Sequence, residues 1–140
     1  MKYLNTLTIM MFLFFLSSCS TGGNHPDFEA NVETVMTLFE LQASESDPQA
    51  QLDLMHEDLE WQPPFFGSEP ISKSQYADYS KSWQDTMEDV VYTATNYLPG
   101  VNSETGVLDG SVRSYGTWTG VHSETGKSWE LSSYHCLLYT

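Results

Sequence analysis

Residues 107–139 read VLDGSVRSYGTWTGVHSETGKSWELSSYHCLLY, and this stretch decides the fold. Two runs rich in β-branched and aromatic residues, Val107–His122 and Lys127–Tyr139, flank Ser123-Glu-Thr-Gly126. Such runs read as strands, and the tetrapeptide between them as a hairpin loop. The same tetrapeptide occurs at 103–106, after a third run of this kind, Val91–Leu98. Together they predict an antiparallel meander. A regular four-residue loop pairs His122 with Lys127, and the rest of the register follows from the two-residue period of a strand. Tyr115 then faces Tyr134, Trp118 faces Leu131, and Gly120 faces Trp129. One face of the sheet carries Arg113, Tyr115, Thr117, Thr119, Glu130, Ser132, Tyr134 and Cys136. The other carries Val112, Gly116, Trp118, Gly120, Trp129, Leu131, His135 and Leu137.

Upstream of the meander the apolar period lengthens from two to three or four. Phe28, Val32, Val35, Met36 and Phe39 mark a first helix that Asp27 would cap and that fades through Ser44-Glu45-Ser46. Asp47-Pro48 starts a short second helix, with proline at the first helical position, and would carry Leu52, Leu54 and Met55 inward. Leu59–Gln62 reads as a short strand ended by Pro63-Pro64, and 65–70 as a loop. Ser72-Lys-Ser-Gln75 is a capping box, followed at helical spacing by Tyr76, Tyr79, Trp83, Met87 and Val90, so a third helix runs to about Asp89. Three helices before an antiparallel sheet make an α+β architecture, with the helices packed on one face of a curved sheet.

The N-terminus carries a different message. Lys2, the apolar run Leu7–Leu16 and the small residues Ser17 and Ser18 form a secretory signal, too short to span a bilayer comfortably. Cys19 directly after them resembles the lipobox of bacterial lipoproteins, which implies cleavage after residue 18, acylation of Cys19 and attachment to a membrane of the cell envelope, facing the periplasm or the exterior. Residues 19–26 then form a short polar tether, and 27–140 a single domain of about 114 residues. With 5 Lys and Arg against 19 Asp and Glu, the net charge is −14. Nucleic-acid binding is excluded by the lack of clustered cations, and adsorption to anionic lipid is opposed, so anchoring falls to acyl chains. With Cys19 acylated, Cys136 has no disulfide partner and reads as a small apolar strand residue. His56-Glu-Asp58 has ligand-type side chains, but neighbours on an extended segment point apart; it reads as an acidic surface cap, and no metal or cofactor is expected.

The order of elements resembles the nuclear-transport-factor-2-like superfamily, with its SnoaL-like cyclases and ketosteroid isomerases. Asp47, Leu54 and Asp58 after the first helix, Pro64 with Gly67-Ser-Glu-Pro70, and the W-x-G-x-H pattern at Trp118-Thr-Gly-Val-His122 carry the resemblance, which spans 28–140. It implies a cone-shaped fold with a ligand cavity. It also implies a further long strand after Tyr139, so that the last strand is expected to be missing and the domain C-terminally truncated. The isomerase base would fall at Pro63 or Gln62, its oxyanion-holding tyrosine at Phe39 and its second acid at Tyr134. Two of the three parts lack the required group, which rejects ketosteroid isomerase chemistry. The strand aspartate of SnoaL-like enzymes likewise falls at Tyr134.

The remaining catalytic candidates are Tyr134 with His122, or Glu60 as a substitute base; the register sets His122 and Tyr134 on opposite faces unless a bulge intervenes. Hydrophobicity would put the Trp-rich face under the helices. The resemblance favours the Tyr115/Tyr134 face, because Tyr134 replaces residues that point into the cone. On that choice Tyr115, Glu130 and Tyr134 line the cavity. Trp61, Tyr76 and Trp83, with Phe65 and Phe66, either guard its mouth or belong to the core. The expected ligand is small and apolar or aromatic. The Trp-rich face is left for a homodimer or another protein partner.

Overall fold

The structure, a computed structural model, describes residues 23–44 and 48–137. The expected signal and lipidation site Cys19, together with Asp47 and residues 138–140, lie outside the described residues. The elements are α1 (Phe28–Ala43), α2 (Pro48–Leu52), β1 (Glu60–Trp61), β2 (Ile71–Ser72), α3 (Lys73–Thr86), β3 (Met87–Val101), β4 (Leu108–His122) and β5 (Ser128–Leu137). β1 and β2 form a small antiparallel ribbon, and the three long strands form an antiparallel sheet in the order β3-β4-β5. This is an α+β fold with helices against a curved antiparallel sheet.

The hairpins are where the tetrapeptides put them. Gly106 and Gly126 close the loops at φ of 69° and 65°, a region that suits glycine because it has no Cβ to clash. Their N–H groups donate to the carbonyls of Asn102 and His122, each at 2.8 Å. The His122 N–H donates to Lys127 O at 3.0 Å, and the register beyond it pairs Gly120 with Trp129, Trp118 with Leu131 and Tyr115 with Tyr134. β3 is less regular. Its pairing with β4 shifts at Glu88/Val91, Ala94/Asn96 and Pro99/Val101, and such bulges add the twist that curves a sheet.

Three local expectations change. Asp27 precedes α1, but its side chain makes no cap hydrogen bond; the Phe28 N–H is satisfied by the His25 carbonyl at 3.0 Å instead. α3 stops at Thr86, three residues early, because the chain turns extended at Met87 to enter β3. Its start is as expected, with the Ser72 N–H donating to Gln75 Oε1 at 3.0 Å. In α2 the buried residue is Gln51, fully enclosed, whereas Leu54 is exposed. Gln51 Oε1 accepts a bond from Ser80 Oγ at 2.8 Å, which satisfies a polar group that would otherwise be costly to bury and ties α2 to α3.

The largest correction concerns the sheet faces. α1 lays Phe28, Val35 and Phe39 on Val112 and Trp118, with Tyr92, Trp129 and Leu137 around them. Each fully buried large side chain in this cluster contributes about 1.5–3 kcal/mol. The face under the helices is therefore the one with Trp118 and His135. Tyr115 and Tyr134, expected inside, stand on the outer face 40% and 51% exposed, with their rings 4.9 Å apart. Area decides this: Trp118, Trp129 and Leu137 offer more apolar surface to α1 than a row of hydroxyls and charges does.

Candidate functional site

The inner face supplies one connected group of polar and aromatic side chains. Trp118, opposite Tyr92 on β3 and Leu131 on β5, is 7% exposed. Its indole Nε1 donates to His135 Nε2 at 3.1 Å. An indole nitrogen only donates, so His135 Nε2 accepts and the neutral ring carries its proton on Nδ1. Ser133 Oγ lies 3.1 Å from the same Nε2. Burial holds the His135 pKa below the usual histidine value, since desolvation disfavours the charged ring. Phe39 from α1 packs on His135 (ring centroids 4.9 Å), Trp118 (5.6 Å) and Tyr92 (4.5 Å). The Tyr92 hydroxyl is bonded to Ser114 Oγ at 2.6 Å.

This face is only partly roofed. Leu131, the cross-strand partner of the buried Trp118, is 52% exposed. On β5 the helices cover the two ends of the inner side, where Phe39 packs on His135 and Trp83 on Trp129, and leave Leu131 between them open as a short trough. Along this side run Trp129, Leu131, Ser133 and His135, every second residue of the strand. Trp83 from α3 stands edge-on to Trp129 at 5.3 Å, at the end nearest the second hairpin.

The residues singled out from sequence do not assemble into one centre. Tyr134 lies on the outer face and His122 on the inner, and no bulge between β4 and β5 changes that over residues 112–121. The Tyr134 hydroxyl is pushed up from its ordinary pKa by desolvation and by its Cys136 neighbour, which makes it a weaker acid. Glu60 is exposed on the β1–β2 ribbon, and Glu130 is exposed on the outer face. Trp61 and Tyr76 pack together at 5.3 Å with Tyr79 beside them, as part of the wall between the ribbon and α3. Burial lifts the Tyr76 hydroxyl to a pKa of about 12, and its oxygen accepts a bond from Gln42 Nε2. Phe65 and Phe66 are exposed in their loop. Of the expected ligand-binding residues only Trp83 borders the trough. His135, Ser133, Tyr92 and Ser114 were missed, although the apolar character of Trp118, Leu131 and Leu137 on their face was a usable signal. Among the described residues no three His, Cys, Asp or Glu side chains come together to hold a metal.

Solved structures share this fold. A provisionally assigned aromatic ring hydroxylase from Novosphingobium aromaticivorans superposes with a TM-score of 0.66 at 19% identity, covering 79% of this chain and 75% of its own. A provisionally assigned isomerase from Bacillus subtilis gives 0.65 at 16% identity, covering 83% and 81%. A nuclear-transport-factor-2-like protein of unknown function from Exiguobacterium gives 0.57 at 17% identity, covering 74% and 83%. The fold is nuclear-transport-factor-2-like. No family model matches the sequence, and no curated protein does. In this nuclear-transport-factor-2-like domain the cone interior is the Trp118/His135 face, and the likeness extends to the fold alone.

Proposed function

We propose that the protein is held in the cell envelope by a lipid on Cys19, and that its domain binds a small apolar or aromatic ligand without catalysing a reaction. The observation that carries the ligand reading is the open middle of the inner side of β5: exposed Leu131 lies directly beside buried Trp118, on the face that the fold turns toward its interior. Aromatic walls with a few fixed polar groups suit a flat apolar molecule. The name of one structural neighbour, an aromatic ring hydroxylase, is in keeping with such a ligand. Catalysis through Tyr134 with His122 or Glu60 is not favoured, because the three groups stand on different faces and elements. Homodimerisation through the sheet, on this reading, uses the outer face, where Tyr115 and Tyr134 are exposed; the Trp-rich face is taken up by α1 and α3.

Equilibrium dialysis with 2-methylnaphthalene tests the ligand site. Saturable one-to-one binding is expected, abolished by Leu131→Glu and unchanged by Tyr134→Ala on the opposite face. Loss of binding in Tyr134→Ala with retention in Leu131→Glu overturns the assignment.

A further inference from the structure

The two ends of the trough differ in their hydrogen bonding. At the His135 end the polar atoms satisfy one another, through the Trp118–His135 bond and Ser133. At the other end, Trp129 Nε1 and His122 Nδ1 are both shielded from solvent and have no hydrogen-bond partner in the protein. These two residues belong together. His122 lies opposite Lys127, so Trp129, two residues further along β5, is its diagonal neighbour on the same face, within reach of large side chains. The Trp129 ring lies across Gly120: a Cβ built there would come within 2.7 Å of it.

We propose that this corner receives the hydroxyl of an aromatic alcohol, so that the ligand class narrows from apolar aromatics to phenols and their fused-ring relatives. The inference rests on the ligand-binding reading above. One hydroxyl oxygen accepts from the Trp129 indole N–H while its proton is donated to His122 Nδ1, which satisfies both orphaned atoms with one group. A hydrocarbon leaves both unpaired, and a buried polar atom without a partner is a standing cost that binding can remove. The Trp83 ring, edge-on to Trp129, is the part that gives way, exchanging one aromatic contact for another. Trp129 and His122 are then specificity-determining residues, while Leu131 and the aromatic wall supply affinity.

The test compares 2-naphthol with 2-methylnaphthalene, which match in shape, by equilibrium dialysis on the purified protein. The wild type is expected to prefer 2-naphthol about tenfold, the size of one good hydrogen bond. In Trp129→Phe the ratio of the two affinities should fall to near unity, whatever the change in hydrocarbon binding; His122→Phe gives an independent second reading of the same ratio. Equal binding of both probes by the wild type, or a preference that survives both substitutions, overturns the phenol assignment and leaves the trough standing. Binding of neither probe overturns the ligand site itself, and this inference with it.

Discussion

His135 shows at the residue scale how the tertiary environment sets chemistry. Its imidazole accepts the Trp118 N–H and lies against Phe39, and burial keeps its folded pKa below the ordinary value of 6.5. The unfolded chain therefore binds a proton that the folded chain resists. The stabilising contribution is fully present above about pH 6.5 and is lost as the pH falls from there toward the lowered folded value. Urea denaturation midpoints are expected to drop between pH 7 and pH 5, and to drop less in His135→Gln, which keeps an acceptor for Trp118 but does not titrate. An identical pH dependence in the variant would remove His135 from this role. Nothing in the local sequence Ser-Tyr-His-Cys separates this histidine from a solvated one; only the ring of Phe39, some 96 positions away, makes the difference.

At the scale of elements, the hairpins and α3 were legible in sequence because their signals are local. The repeated tetrapeptide, a glycine at each positive-φ position and a capping box act within a few residues. The inward face of α2 is not legible for the opposite reason. A glutamine in a short helix reads as solvent-facing, and it becomes core only because Ser80 on α3 offers its hydroxyl. The seam between β3 and β4 supplies a further prediction. A Cβ at Gly116 would meet Tyr92 side-chain atoms at 2.5 Å and the Thr93 carbonyl at 2.6 Å. The Thr93 backbone cannot step aside, and a shift of Tyr92 breaks its bond to Ser114. Gly116→Ala is thus expected to destabilise the domain by about 1–3 kcal/mol in chemical denaturation. Gly23→Ala, with open space around it, should be close to neutral.

For the whole molecule, a net charge of −14 offers anionic lipid no attraction, so the proposed attachment hangs on Cys19. Cys19→Ala is expected to move the protein from the membrane to the soluble fraction on cell fractionation, and persistence in the membrane fraction would refute lipid anchoring. Fold class, the order of the helices and long strands, and the β4–β5 register follow from the sequence by itself, since helix period, strand period and turn chemistry are set by neighbouring residues. The register also sorted the side chains of β4 and β5 into two faces. Which of those faces became the interior was decided only in the tertiary structure. Alternation states that Trp118 and Tyr134 point in opposite directions, but it carries no information about the side on which α1 docks. That choice went to the face with more apolar area for Phe28, Val35 and Phe39 to cover. It turned Tyr115 and Tyr134 outward and made the trough from His135, Leu131 and Trp129.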